Sequence, residues 1–135
     1  MGFAESLRTC FGKYAKFDGR ASRPEFWYFY LFCFIYMFVA GFLLGMTGAS
    51  DAASGGAILI LMIPIFIPSI AVAARRLHDI NQSGWMQCIF IPGFVADELL
   101  GTGYVIYILT FALYAFWFSQ AAKKGKNRFG AQPRK

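Results

Sequence analysis

Charge is scarce in this chain. Only 15% of its 135 residues are Asp, Glu, Lys or Arg, against 58% hydrophobic and 19% aromatic residues, and the mean hydropathy is +0.50. A soluble domain carries about a quarter charged residues, because its core has to be covered by a wetted surface. The deficit argues against a water-soluble globule and points to lipid as the solvent, where a helix of roughly 20 apolar residues satisfies its own backbone. The length allows one domain.

Cysteine and histidine are scarce too. Cys10, Cys33 and Cys88 are widely spaced with no C-x-x-C, and His78 is the one histidine. That argues against a disulfide framework and a zinc site, so no metal and no cofactor is expected. Cys33 and Cys88 fall in apolar runs as small hydrophobes. Ionisable residues are also missing inside the apolar runs, apart from Asp97 and Glu98 at the outer end of the third. Pumps and proton relays depend on such residues, so their lack argues against one. The first twenty residues are polar and basic, and no A-x-A-like site follows the first run, so no cleavable signal peptide is expected.

What is present is a series of apolar runs with basic flanks. Residues 3 to 17 predict an amphipathic helix, with Phe3, Leu7, Cys10, Phe11, Tyr14 and Phe17 three or four apart; it would lie in the membrane surface or pack on the bundle, and Gly19 would stop it. Ser22 and Glu25 stand in the S-x-x-E spacing of a capping box with Pro24 between them, so a helix is expected to start there. The fold class this predicts is an all-α integral membrane protein of four transmembrane helices, arranged as two helical hairpins, plus the N-terminal interfacial helix. Residues 1–25 are cytoplasmic or interfacial, 26–47 the first crossing, 56–74 the second, 75–84 a cytoplasmic motif loop, 85–101 a short third crossing, 104–120 the fourth and 121–135 a basic cytoplasmic tail. Gly41 and Gly45 form a G-x-x-x-G in the first crossing, and Pro64 and Pro68 are expected to kink the second.

Orientation follows from the basic residues. Five lysines and arginines precede the first crossing, two stand at Arg75 and Arg76, six lie in the tail, and none lies in loops 48–55 or 97–103. Four crossings put all thirteen on one side, whereas three would split them seven to six, so the positive-inside rule selects four, with both termini cytoplasmic. Trp27, Trp85 and Trp117 each fall where a run meets that same interface, the depth tryptophan favours as an anchor.

Topology explains Arg75 and Arg76 but not the Leu77-His78-Asp79 and Ser83-Gly84-Trp85 that follow. A carboxylate beside a histidine can orient an imidazole for acid–base work. It can equally pair with an arginine, here Arg75 one turn back, or Arg20 or Arg23 brought near by folding. Arg20, Arg23, Glu25, Arg75, Arg76, His78, Asp79 and Arg128 all fall at one depth where helices start or end, which predicts one interfacial network closing the inner mouth of the bundle.

Three segments carry a resemblance. Phe17-x-Gly19-Arg20-x-Ser22-Arg23-x-Glu25-Phe26-Trp27, then Arg75-Arg76-Leu77-His78-Asp79-x-x-x-Ser83-Gly84-Trp85, then Asn127-Arg128-Phe129-Gly130-x-x-Pro133 are similar to the signatures of the bacterial YhaH/YhaI-like inner-membrane family, the domain of unknown function numbered 805. The resemblance covers about residues 14 to 133. It implies a small multi-pass protein of the bacterial inner membrane, and it brings no catalytic residue with it. Met86 and Lys123-Lys124-Gly125-Lys126 stand where members often have a second tryptophan and a Pro-Gly turn.

The functional expectation is a non-enzymatic accessory membrane component whose basic network binds anionic headgroups, or simply sets topology and locks the bundle. Anionic lipid on the cytoplasmic side is the expected partner, with a second copy or another membrane protein as further candidates, and nucleic acid is not expected because the basic residues flank apolar runs. Two rivals stand beside this: a small transporter or channel that oligomerises around a pore, and a membrane enzyme acting on lipid headgroups with His78 as base.

Overall fold

The computed structural model describes residues 1–48, 50–89 and 105–133. Among them are four α-helices: α1 (Phe3–Gly12), α2 (Arg23–Met46), α3 (Asp51–Asp79) and α4 (Val105–Ser119). A short 3-10 segment, Gly84–Ile89, follows α3, and among the described residues the only bridge of β type joins Asn127 to Gly130. The expected third crossing, 85–101, lies outside the described residues beyond Ile89.

Two helices, α2 and α3, are long and apolar enough to cross a membrane. Their 24 and 29 residues give lengths of about 36 and 44 Å at 1.5 Å per residue, against a hydrocarbon core of about 30 Å. α3 continues through Pro64 and Pro68, each of which leaves the carbonyl four residues earlier without its in-helix donor. It also runs on to Asp79, so Arg75 to Asp79 are its last turns and not part of a motif loop. A helix leaving lipid has no reason to stop at the first charge, because its backbone bonds are internal.

The chain divides into two compact units, Met1–Lys16 with Pro24–Val72, and Phe17–Arg23 with Ala73–Lys135. In the first, α1 packs on the start of α2. Ser6 and Cys10 are fully buried, Phe11 meets Phe29 and Phe32 edge-on at 5.5 and 5.8 Å, and the Cys10 Sγ lies 3.9 Å from the main-chain oxygen and the carboxylate of Glu25. These contacts join one face of the helix to α2, while Phe3 stays exposed. The helix ends at Gly12 rather than Phe17, since Lys13 leaves helical dihedrals while its N–H still bonds to Thr9 O at 3.0 Å. Farther along, the Tyr30 hydroxyl donates to Ser69 O at 3.4 Å, tying α2 to α3. Phe34, Phe38, Phe42, Leu43 and Met46 of α2, like Leu59, Ile60 and Ile63 of α3, remain exposed. A helix this apolar around its circumference and this bare is suited to lipid rather than to water. Gly41 and Gly45 have no atom within 4 Å of the place a Cβ would occupy.

The second unit gathers the segment before α2, the end of α3 and the chain after α4. Among the described residues its buried apolar residues are Ala21, Ala73, Ala74, Leu77 and Phe118, and with them are buried Arg20, Ser22, Arg75, Arg76 and Asp79.

Candidate functional site

The site begins with how α3 stops. Asn81 takes a φ of 66°, its N–H bonds to His78 O at 3.0 Å, and the Gln82 N–H reaches back to Leu77 O at 2.9 Å. This is a Schellman ending with asparagine in the left-handed position usually held by glycine. The chain then folds back so closely that a Cβ on Gly84 would lie 2.9 Å from Ala74 Cβ and 3.3 Å from His78 Nε2. Only glycine fits there, which gives Ser83-Gly84-Trp85 a packing reason.

Asp79, held at the end of that helix, is shared by two arginines. Arg20 donates from Nε to Oδ1 at 2.9 Å and brings a second nitrogen to the same oxygen at 2.8 Å, while Arg76 donates to Oδ2. All three side chains are essentially sealed from solvent. Two buried guanidiniums around one carboxylate leave a positive charge and unfilled N–H donors, and main-chain oxygens fill them. Arg76 donates to Phe118 O at 3.0 Å and to Gln120 O, and Arg23 adds a bond to Gln120 O at 3.0 Å. These are carbonyls at the C-terminal end of α4, where the helix has no N–H of its own to offer and where cations are favoured. Arg20 donates to Lys123 O and Gly125 O, each at 2.6 Å, and to Gly130 O at 3.4 Å.

The segment from 123 to 130 is therefore wrapped around Arg20 by its backbone. Its own residues complete the fit. Lys123 N–H donates to Asp79 O at 3.0 Å, and Asn127 donates from Nδ2 to His78 O at 2.8 Å while its Oδ1 accepts the Phe129 N–H at 2.9 Å. The Phe129 ring stacks on the His78 imidazole, centroids 3.8 Å apart and planes 5° from parallel. Arg128 lies over the Phe129 ring at 4.6 Å and donates to Asn81 O at 3.3 Å. Gly130 carries a φ of +123°, a conformation open to glycine. On the far side, Ala21 N–H donates to Arg75 O at 2.9 Å, which pins the segment before α2 to α3.

Six of the eight residues expected in one network are joined by these bonds and ring contacts: Arg20, Arg23, Arg76, His78, Asp79 and Arg128. Arg75 is buried in the same unit and takes part through its carbonyl, whereas Glu25 is buried in the first unit beside Cys10. The partner of Asp79 on its own helix is Arg76, three residues back, and not Arg75. His78 and Asp79 do not form an acid–base pair. Both carboxylate oxygens face arginines, and His78 Nδ1 lies 3.0 Å from Gly19 O, so Nδ1 carries the proton and donates it. Of the three tryptophans, Trp85 is 83% exposed, Trp27 is exposed and Trp117 half-buried. Sequence reasoning missed the carbonyl acceptors, which no side chain announces, and the individual parts played by Asn127, Phe129 and Gly84, which were visible only as letters of a motif.

The family described as "Protein of unknown function (DUF805)" matches residues 14–131. Inner membrane protein YhaH of Escherichia coli strain K12 is 36% identical over 122 residues, covering 90% of this chain and 89% of that one. Inner membrane protein YhaI of the same strain is 28% identical over 122 residues, covering 90% and 88%. No solved structure matches.

Proposed function

Taking as premise that the chain belongs to the DUF805 family, we propose that it is a four-crossing protein of the bacterial inner membrane with both termini cytoplasmic, in which the arginine clasp holds the inner mouth closed and the exposed basic residues bear on anionic headgroups. Its role is that of a non-enzymatic accessory component. The clasp supports the topology by parity. Arg20, Arg76 and Asp79, Phe118 and Gly130 are bonded in one unit and so share one face of the bilayer. On this reading the chain between residues 20 and 76 would cross an even number of times, as two crossings by α2 and α3 would supply, and the chain between 79 and 118 would also cross an even number of times.

The observation that carries the headgroup reading is how charge is divided. The guanidiniums of Arg20 and Arg76 are filled by Asp79 and by carbonyls, which leaves them as structure. Lys123, Lys124, Lys126 and Arg128 are exposed on a segment whose carbonyls point inward. Among the described residues of that unit eight lysines and arginines stand against two carboxylates, Asp18 and Asp79. A juxtamembrane lysine near an anionic leaflet contributes about 1 kcal/mol. Native mass spectrometry of protein extracted gently from its own membrane tests this. Anionic lipid retained by the wild type and lost from a Lys123→Ala, Lys124→Ala, Lys126→Ala variant of unchanged thermal stability is expected. Equal retention by both overturns the headgroup reading.

A further inference from the structure

We propose that residues 121–130 are a closing strap, whose docking is the step that locks α4 into the fold. The argument starts from an imbalance. Arg20 and Arg76 stand on segments that precede α4 in the chain, and the carboxylate those segments bring into contact with both guanidiniums is one, Asp79. The remaining acceptors, Phe118 O, Gln120 O, Lys123 O, Gly125 O and Gly130 O, come from the end of α4 and the residues after it. Until that stretch reaches the face where residues 17–23 and the end of α3 stand, the cluster keeps a net positive charge with open donors. A desolvated cation in that state is costly, so the cluster stays hydrated and loose.

Arrival of the chain from Phe118 to Gly130 fills the open donors: the end of α4 and Gln120 serve Arg76, and the strap that follows serves Arg20. The Asn127 bond to His78 O and the Phe129 ring on His78 then seat it on α3. Recognition runs almost wholly through the strap's main chain, so the lock reads its shape and leaves the lysine side chains outside. The inference concerns closure and does not depend on the headgroup reading.

Limited trypsin digestion of the full chain in lipid nanodiscs tests it, following cleavage after Lys123, Lys124, Lys126 and Arg128 by mass spectrometry. The wild-type strap is expected to be cut slowly despite its exposed lysines. Asn127→Ala, which leaves the Arg20–Asp79 pair in place, is expected to speed cleavage about tenfold, the effect of losing one part-buried hydrogen bond. Arg20→Lys is expected to speed it further while α2 and α3 stay protected. If Arg20→Lys prevents folding, Asn127→Ala alone decides. Wild-type cleavage as fast as that of a free peptide of residues 121–133, or an unchanged rate in Asn127→Ala, overturns the proposal.

Discussion

The second half of α2 and the clasp are opposites in composition and in burial. Phe34, Phe38 and Phe42 lie bare on a helix with little packed against it, while Arg20, Arg76 and Asp79 are sealed from solvent. In water this arrangement would be inside out. In lipid it is ordered by the same rule that orders a soluble core: groups go where their solvent is, and those with none must find partners. Apolar side chains in hydrocarbon need nothing specific, so their positions are loosely specified. Charged groups at the mouth must be satisfied one donor at a time, so the specific geometry of this protein is concentrated there.

The sharpest way to break the comparison is to remove the shared carboxylate. Asp79→Asn leaves two buried guanidiniums without their counter-charge and is expected to cost about 3–5 kcal/mol, seen as a large fall in the thermal unfolding midpoint in detergent. Gly84→Ala is next, because the new methyl would meet Ala74 Cβ at 2.9 Å. Overpacking of this kind costs about 1–3 kcal/mol, and Ala74→Gly in the same chain should return part of it. Asn127→Ala should cost about 1 kcal/mol in the same assay. At the other pole, Phe38→Leu on the bare face of α2 should change stability by less than about 0.5 kcal/mol, since surface changes away from specific contacts rarely exceed that. A Phe38→Leu effect as large as that of Gly84→Ala would mean that this face is covered in the assembled protein, and the contrast would fail.

The apolar runs made α2, most of α3 and α4 legible in the sequence, and α4 at Val105–Ser119 lies within the expected 104–120. Periodicity misplaced two ends. The apolar stripe of α1 continued on paper to Phe17, although Gly12 and Lys13 turn the chain before it. α3 was expected to end with its last apolar residue, although an Asn81 left-handed turn ends it farther on. Of the clasp, the charged letters were readable because arginines and a carboxylate at one depth have to meet. Their partners were not, because a carbonyl is carried by every residue and its use depends on backbone shape alone. Arg76 as the partner of Asp79 was hidden for a related reason: its place became clear only once the helix was seen to run through both.

A strap read by its carbonyls imposes a contour on positions 123 to 126 and leaves their side chains almost free. Mutation can therefore change the charge of the tail without disturbing the joint that holds it. Fold and surface charge become separately heritable here, so a lineage could retune the charge of the tail while the clasp stays as it is.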